Sequence, residues 1–123
     1  MHIVCADHSR LELAKLKRVT GNLAPDARIE GFRMPSEVLR LAEKQKIDIL
    51  LTELDFGGSR WEGLELARKV TELQPSVNII LVTAEPGGDF SEEAILLRIS
   101  GLVRKPYEIG DIQKEFENLR YPV

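Results

Sequence analysis

The chain has 123 residues, enough for one domain with a core of its own. Hydrophobic residues make up 43% and charged residues 30%, a balance that excludes a disordered chain, and the net charge of -3 gives no electrostatic footprint for nucleic acid. The single cysteine, Cys5, excludes an internal disulfide and a multi-cysteine metal site, and no apolar run approaches the ~20 residues of a membrane span.

The chain enters an apolar segment at once, without a charged-then-apolar leader, so a reducing, cytoplasmic setting is expected. The first strand is expected over His2 to Ala6. Ser9-Arg10-Leu11-Glu12 reads as a capping box opening a helix that carries Leu13 and Leu16 on one face and stops at Gly21-Asn22. Ala27 to Phe32 is a weak second strand. A second helix starts at Pro35 or Ser36 and runs through Val38, Leu41 and Ala42 to about Lys46. Ile47 to Thr52 is nearly continuous apolar sequence, as suits a parallel strand buried on both faces.

Gly57-Gly58-Ser59 marks a loop, and Leu64, Ala67, Val70 and Leu73 are spaced as the apolar face of a third helix. Val77 to Val82 is a second buried strand. Pro86-Gly87-Gly88 breaks the chain, and Ser91 caps a short fourth helix with Ala94, Ile95 and Leu97. Gly101 to Arg104 is a short fifth strand, and Ile112, Phe116 and Leu119 share a face of the last helix. Five strands alternating with five helices imply an α/β fold, a doubly wound parallel sheet in a single domain over 1–123.

In such a sheet the site lies beyond the carboxyl ends of the strands. Those ends carry Asp7 and His8, then Glu53 and Asp55, then Thr83 and Ala84, then Lys105 before Pro106. Carboxylates suit a hard cation, and lysine and threonine suit phosphoryl oxygens. Blander roles stand beside these: Asp7 and Asp55 also suit turns, Thr83 suits a strand end, and His8 reads as a solvent-facing loop residue. Cys5 reads as a small buried hydrophobe, and His2 carries no functional signal.

Ile3-Val4-Cys5-Ala6-Asp7, Asp48-Ile49-Leu50-Leu51-Thr52-Glu53, Ile79-Ile80-Leu81-Val82-Thr83-Ala84 and Lys105-Pro106-Tyr107 together resemble the four signature strand ends of response-regulator receiver domains. Gly63-Leu64-Glu65-Leu66 resembles the family's opening of the third helix. The resemblance spans essentially the whole chain. It implies the flavodoxin-like strand order 2-1-3-4-5 and a signalling module, not an enzyme, in a phosphorelay. It places Glu53 at the phosphoacceptor position, with Thr83, Ala84 and Lys105 as phosphoryl contacts. It gives Asp7, Glu53 and, through its backbone carbonyl, Asp55 a magnesium site, and it implies a cis peptide before Pro106.

Four departures from the family pattern matter. Glu53 replaces aspartate, and its extra methylene disturbs an in-line geometry that tolerates little error. The longer side chain is expected to reach Lys105 and imitate the phosphorylated state. Ala6 replaces the first of two acids, which weakens any Mg2+ site. The loop from Glu53 to Gly63 is longer than usual, and Leu102 replaces a switch aromatic. The reading is therefore a pseudo-receiver that works by protein interaction. Its expected partners are a histidine kinase, a phosphotransfer or output domain, or a second copy through the face of the fourth helix, fifth strand and fifth helix. Ile95, Leu97, Tyr107, Phe116 and Tyr121 lie near that face. The alternatives are a conventional receiver phosphorylated on Asp55 or Asp7, and a phosphocysteine carrier using Cys5. The chain is expected to be a stand-alone module or part of a longer protein, without direct contact to nucleic acid or membrane.

Overall fold

The computed structural model describes residues 1–58, 61–84 and 98–119. β1 (His2–Ala6) is buried at every position because it lies between β2 (Arg28–Phe32) and β3 (Ile49–Thr52). β4 (Asn78–Thr83), also buried throughout, and the edge strand β5 (Gly101–Arg104) complete a parallel sheet of order β2-β1-β3-β4-β5. This is the expected order. The continuous apolar runs are the strands covered on both faces, and the weaker runs are the edges.

Four helices are described: α1 (Arg10–Leu23), α2 (Pro35–Ala42), α3 (Trp61–Leu73) and α4 (Ile109–Glu117). α4 is the last of the five expected helices. The helix expected from Ser91 through Ala94, Ile95 and Leu97 lies outside the described residues, as do Pro86-Gly87-Gly88, Tyr121 and the side chain of Trp61. No described helix is long and apolar enough to cross a membrane.

Alternation along the strands sorts the core into two layers. Ile3, Cys5, Ile49, Leu51, Ile80 and Val82 face α1 and α4, where Leu16, Val19, Ile112 and Phe116 meet them. Val4, Ala6, Leu50 and Ile79 face α2 and α3, against Val38, Leu66, Ala67 and Val70. Tyr107 and Phe116, expected near an interaction face, are both core residues. Leu102, on β5, is exposed.

Several boundaries move for local reasons. α1 runs past Gly21 to Leu23, where the Ala24 N–H closes on the Thr20 carbonyl at 2.9 Å. α2 ends at Ala42 instead of near Lys46. The N–H groups of Lys44 and Gln45 both turn back to the Leu41 carbonyl, at 3.0 and 2.9 Å, while the Gln74 side-chain amide donates to the Ala42 and Gln45 carbonyls. Ser9 caps α1 by accepting from the Glu12 N–H at 3.3 Å, but the reciprocal half of the expected capping box is replaced. The Ser9 N–H donates to Asp7 Oδ1 at 2.9 Å. The first turn of α1 is thereby tied to a site residue.

Gly63 explains how α3 is seated. A Cβ there would lie 2.6 Å from both Leu54 Cα and Leu54 O, and would also press on the Glu53 carbonyl. The Gly63 N–H donates to the Leu54 carbonyl at 2.8 Å. α3 therefore starts in backbone-to-backbone contact with the segment carrying Glu53.

Candidate functional site

The site residues sit one step past the strand ends, and the ladder continues into them. The Asp7 N–H donates to the Phe32 carbonyl at 3.1 Å, Glu53 N–H to Ala6 at 3.0 Å, and Lys105 N–H to Thr83 at 2.8 Å. Backbone positions are thus set by the sheet, and each side chain leaves from a fixed point at its carboxyl edge.

Asp7 is 1% exposed and fully engaged. Lys105 Nζ donates to Asp7 Oδ2 at 2.7 Å, and the Ser9 N–H takes Oδ1. Lys105 stands 3.8 Å from Glu53 Oε1. The expected Glu53–Lys105 pairing is therefore the weaker of the two, because Asp7 holds the ammonium at hydrogen-bond distance. The Lys105–Pro106 peptide is cis. Lys15 donates to the Tyr107 carbonyl at 2.9 Å and lies 4.1 Å from the centre of its ring, which braces the loop behind Lys105.

Glu53 is 4% exposed, so its carboxylate is not the solvated loop group that an acid after a strand would ordinarily be. Its main partner is His8. Glu53 Oε2 accepts the His8 backbone N–H and lies 2.6 Å from His8 Nδ1. The His8 carbonyl in turn accepts from Arg33 Nε at 2.9 Å. Burial raises the Glu53 pKa above its ordinary value. The two His8 hydrogen bonds oppose that rise, the Asp7 charge adds to it, and Lys105 lowers it.

His8 was the residue hardest to find from sequence. Its one signal is position, directly after Asp7 at the first strand end. Arg33, after β2, carried no signal at all.

Above these groups opens a cleft of about 510 Å3, lined by His8, Glu53, Leu54, Asp55, Gly57, Thr83, Ala84 and Lys105. Asp7 lies beneath it. Asp55 does not turn its carboxylate to the cluster: Oδ1 accepts the Gly57 N–H at 2.8 Å, in a tight turn where Gly57 has φ +101°. Cys5 is fully buried, with its thiol pushed up to about 12 by burial, so it offers no nucleophile and the phosphocysteine reading fails.

The ligand atoms of Asp7, His8 and Glu53 lie within 4.8 Å of one another. This set fits Mg2+ poorly. Magnesium asks for oxygen ligands in octahedral array. Here both Asp7 oxygens and Glu53 Oε2 already accept from protein donors, the third member is an imidazole, and Ala6 places a methyl where a further acid would stand. Asp55, whose expected contribution is its backbone carbonyl, spends one carboxylate oxygen on the Gly57 N–H.

Comparison with known proteins decides the family. The model of the response regulator receiver domain matches residues 3–117. The chain belongs to the receiver domain family. Over 122 residues it is 27% identical to the cyclic di-GMP phosphodiesterase response regulator RpfG of Xanthomonas campestris pv. campestris (strain 8004), covering 97% of this chain and 32% of that protein. Over 77 residues it is 25% identical to the response regulator receiver protein CpdR of Brucella abortus (strain 2308), covering 63% of this chain and 62% of that protein. The chain thus spans only part of each relative's own length. The CheY-like receiver domain protein of Methanospirillum hungatei JF-1 superposes with a TM-score of 0.83 at 20% identity, over 94% of this chain and 90% of that one, and so shares the fold. The chain is a receiver domain of two-component signalling, a family of signalling modules.

Proposed function

We propose that this receiver domain is a pseudo-receiver: a signalling module that takes no phosphoryl group on the carboxylate at its acceptor position and acts through protein partners. One observation carries the reading. Glu53 stands at the end of β3, but its Oε2 is held by two donors of His8 inside a buried setting. With Oε2 committed to two hydrogen bonds, Oε1, 3.8 Å from Lys105 Nζ, is the oxygen left to meet a donor, and the His8 contacts fix where it points. The added methylene also misplaces it for in-line attack, where an error near an ångström costs about 100-fold. The poor fit of the Asp7, His8 and Glu53 set to magnesium supports the same reading.

The partners expected are those of the family, a histidine kinase, a phosphotransfer domain or an output domain, in the cytoplasm. A second copy docking over β5 and α4, where Leu102 and Ile109 are exposed, fits the same role.

Intact mass after incubation with Mg2+ and a small acyl-phosphate donor tests the proposal. The native chain is expected to gain no alkali-labile acyl phosphate, and a gain by Glu53→Asp alone assigns the block to the added methylene. An alkali-labile phosphoryl group on native Glu53, Asp55 or Asp7 overturns the reading and makes the domain a conventional receiver.

A further inference from the structure

We infer that His8 is the phosphoryl acceptor of this pocket, through Nε2. The inference shares with the proposed function the premise that Glu53 is not the acceptor, but it concerns a different atom.

The ring is set up for attack from one side. Nδ1 lies 2.6 Å from Glu53 Oε2, and a carboxylate only accepts, so the proton is assigned to Nδ1. The lone pair then lies on Nε2. The same carboxylate oxygen accepts the His8 backbone N–H, and Arg33 holds the His8 carbonyl, so backbone and ring are fixed together. A buried carboxylate at Nδ1 fixes the tautomer and holds the ring in one orientation, leaving Nε2 as the nitrogen that can act.

Nε2 has no hydrogen-bond partner among the described residues, and the side chain is 51% exposed. Its edge faces Gly57, where an added Cβ would lie 3.8 Å from Cδ2 and 4.0 Å from Nε2. With glycine there, position 57 places no side chain beside Nε2. His8 lines one cleft with Thr83, Ala84 and Lys105, and the Lys105 ammonium, 2.7 Å from Asp7 Oδ2, gives that cleft a cation suited to phosphoryl oxygens. Asp7 is buried with both oxygens engaged, and Cys5 lies in the core.

The step balances without a proton leaving Nε2. The Nε2 lone pair attacks phosphorus of an N-phosphoryl or acyl-phosphate donor. The N–P bond forms, and the donor's P–N or P–O bond breaks with its electron pair leaving on the donor. The Nδ1 proton stays in place, and Glu53 offsets the positive charge that develops on the ring. The product is a phosphoramidate on His8. Glu53 is here a positioning residue.

The test uses the 123-residue chain with potassium phosphoramidate, without added metal, read by intact mass before and after mild alkali and mild acid. A phosphohistidine survives alkali and is lost in acid; an acyl phosphate is lost in alkali. The native chain is expected to gain one alkali-stable phosphoryl group, mapped to His8 by fragmentation. His2→Gln keeps it, and His8→Gln loses it. Glu53→Gln slows its appearance about tenfold or more. Mapping on the native chain keeps the result decisive even where His8→Gln folds poorly. Absence of an alkali-stable adduct, or its location elsewhere, overturns the inference while leaving the pseudo-receiver reading intact. An alkali-labile adduct on Glu53, Asp55 or Asp7 overturns both.

Discussion

The two ends of β1 carry the same pair of side chains in opposite circumstances. At the amino end, His2 Nε2 lies 2.6 Å from Glu30 Oε2 and its Nδ1 lies 3.0 Å from the Lys46 carbonyl oxygen. His2 is 8% exposed, both ring nitrogens are occupied, and its backbone N–H is held by Asp48 at 2.7 Å. At the carboxyl end, His8 also meets a glutamate at 2.6 Å, but among the described residues only Nδ1 has a partner, and the ring lines a cleft. A histidine–carboxylate pair is thus neither structural nor chemical by its own nature. The second nitrogen decides: closed by a carbonyl it is a brace, and left open beside Gly57 it is a reactive edge.

The largest effect expected is at the carboxyl end, where charge is buried. Lys105→Met removes the ammonium 2.7 Å from a carboxylate that is 1% exposed. Breaking a buried ion pair from one side leaves an uncompensated charge, so unfolding free energy should fall by about 3 kcal/mol in chemical denaturation. A loss under about 0.5 kcal/mol would mean that Asp7 finds water or a proton easily, and the contrast between a tightly built carboxyl end and an ordinary one would be lost. Next is Gly63→Ala. The added methyl meets Leu54 Cα and O, which are backbone and cannot swing aside. A loss of about 2 kcal/mol is expected from overpacking. A neutral result would show that α3 can lift away from the β3 end, and that Glu53 is held by His8 alone.

Much of this was legible in the sequence, for different reasons at different places. The buried strands announce themselves because a parallel strand covered on both faces must be apolar at nearly every position, as Ile49 to Thr52 and Asn78 to Thr83 show. Asp7, Thr83 and Lys105 follow from the rule that sites gather at carboxyl ends. The end of α2 was not legible, because it is set by Gln74, a residue 32 positions after Ala42 whose side chain takes the orphan carbonyls. In the sequence His8 has only the character of a solvent-facing loop residue. Its value comes from Glu53, 45 positions away, and from the absence of a side chain at Gly57. Pairings of that kind leave no periodic trace.

Two histidine substitutions sharpen the comparison directly. His2→Gln should cost about 1–2 kcal/mol, since Glu30 and the Lys46 carbonyl lose partners in a mostly buried setting. His8→Gln should cost a comparable amount, because Glu53, 4% exposed, loses the ring Nδ1 as its partner. A His8 cost near zero would mean that water or Lys105 readily takes the place of Nδ1, and that Glu53 does not hold the ring.

The smallest effect is in the pH dependence of stability, and its sign discriminates between burial and pairing at Glu53. Burial is the largest influence and raises the pKa above 4.5. The native state then holds this proton more tightly than the unfolded chain does. Between 4.5 and the raised native value the unfolded chain binds fewer protons, so stability falls as pH rises through that window. Glu53→Gln removes the titration while keeping an acceptor for His8. The stability of the native chain relative to Glu53→Gln should therefore decline as pH rises from 4.5, read as a difference of denaturation midpoints. A difference that grows with pH would mean that His8 and Lys105 outweigh burial. The carboxylate would then be a stabilised anion, nearer in kind to Glu30 at the other end of the strand than to a group held for its chemistry.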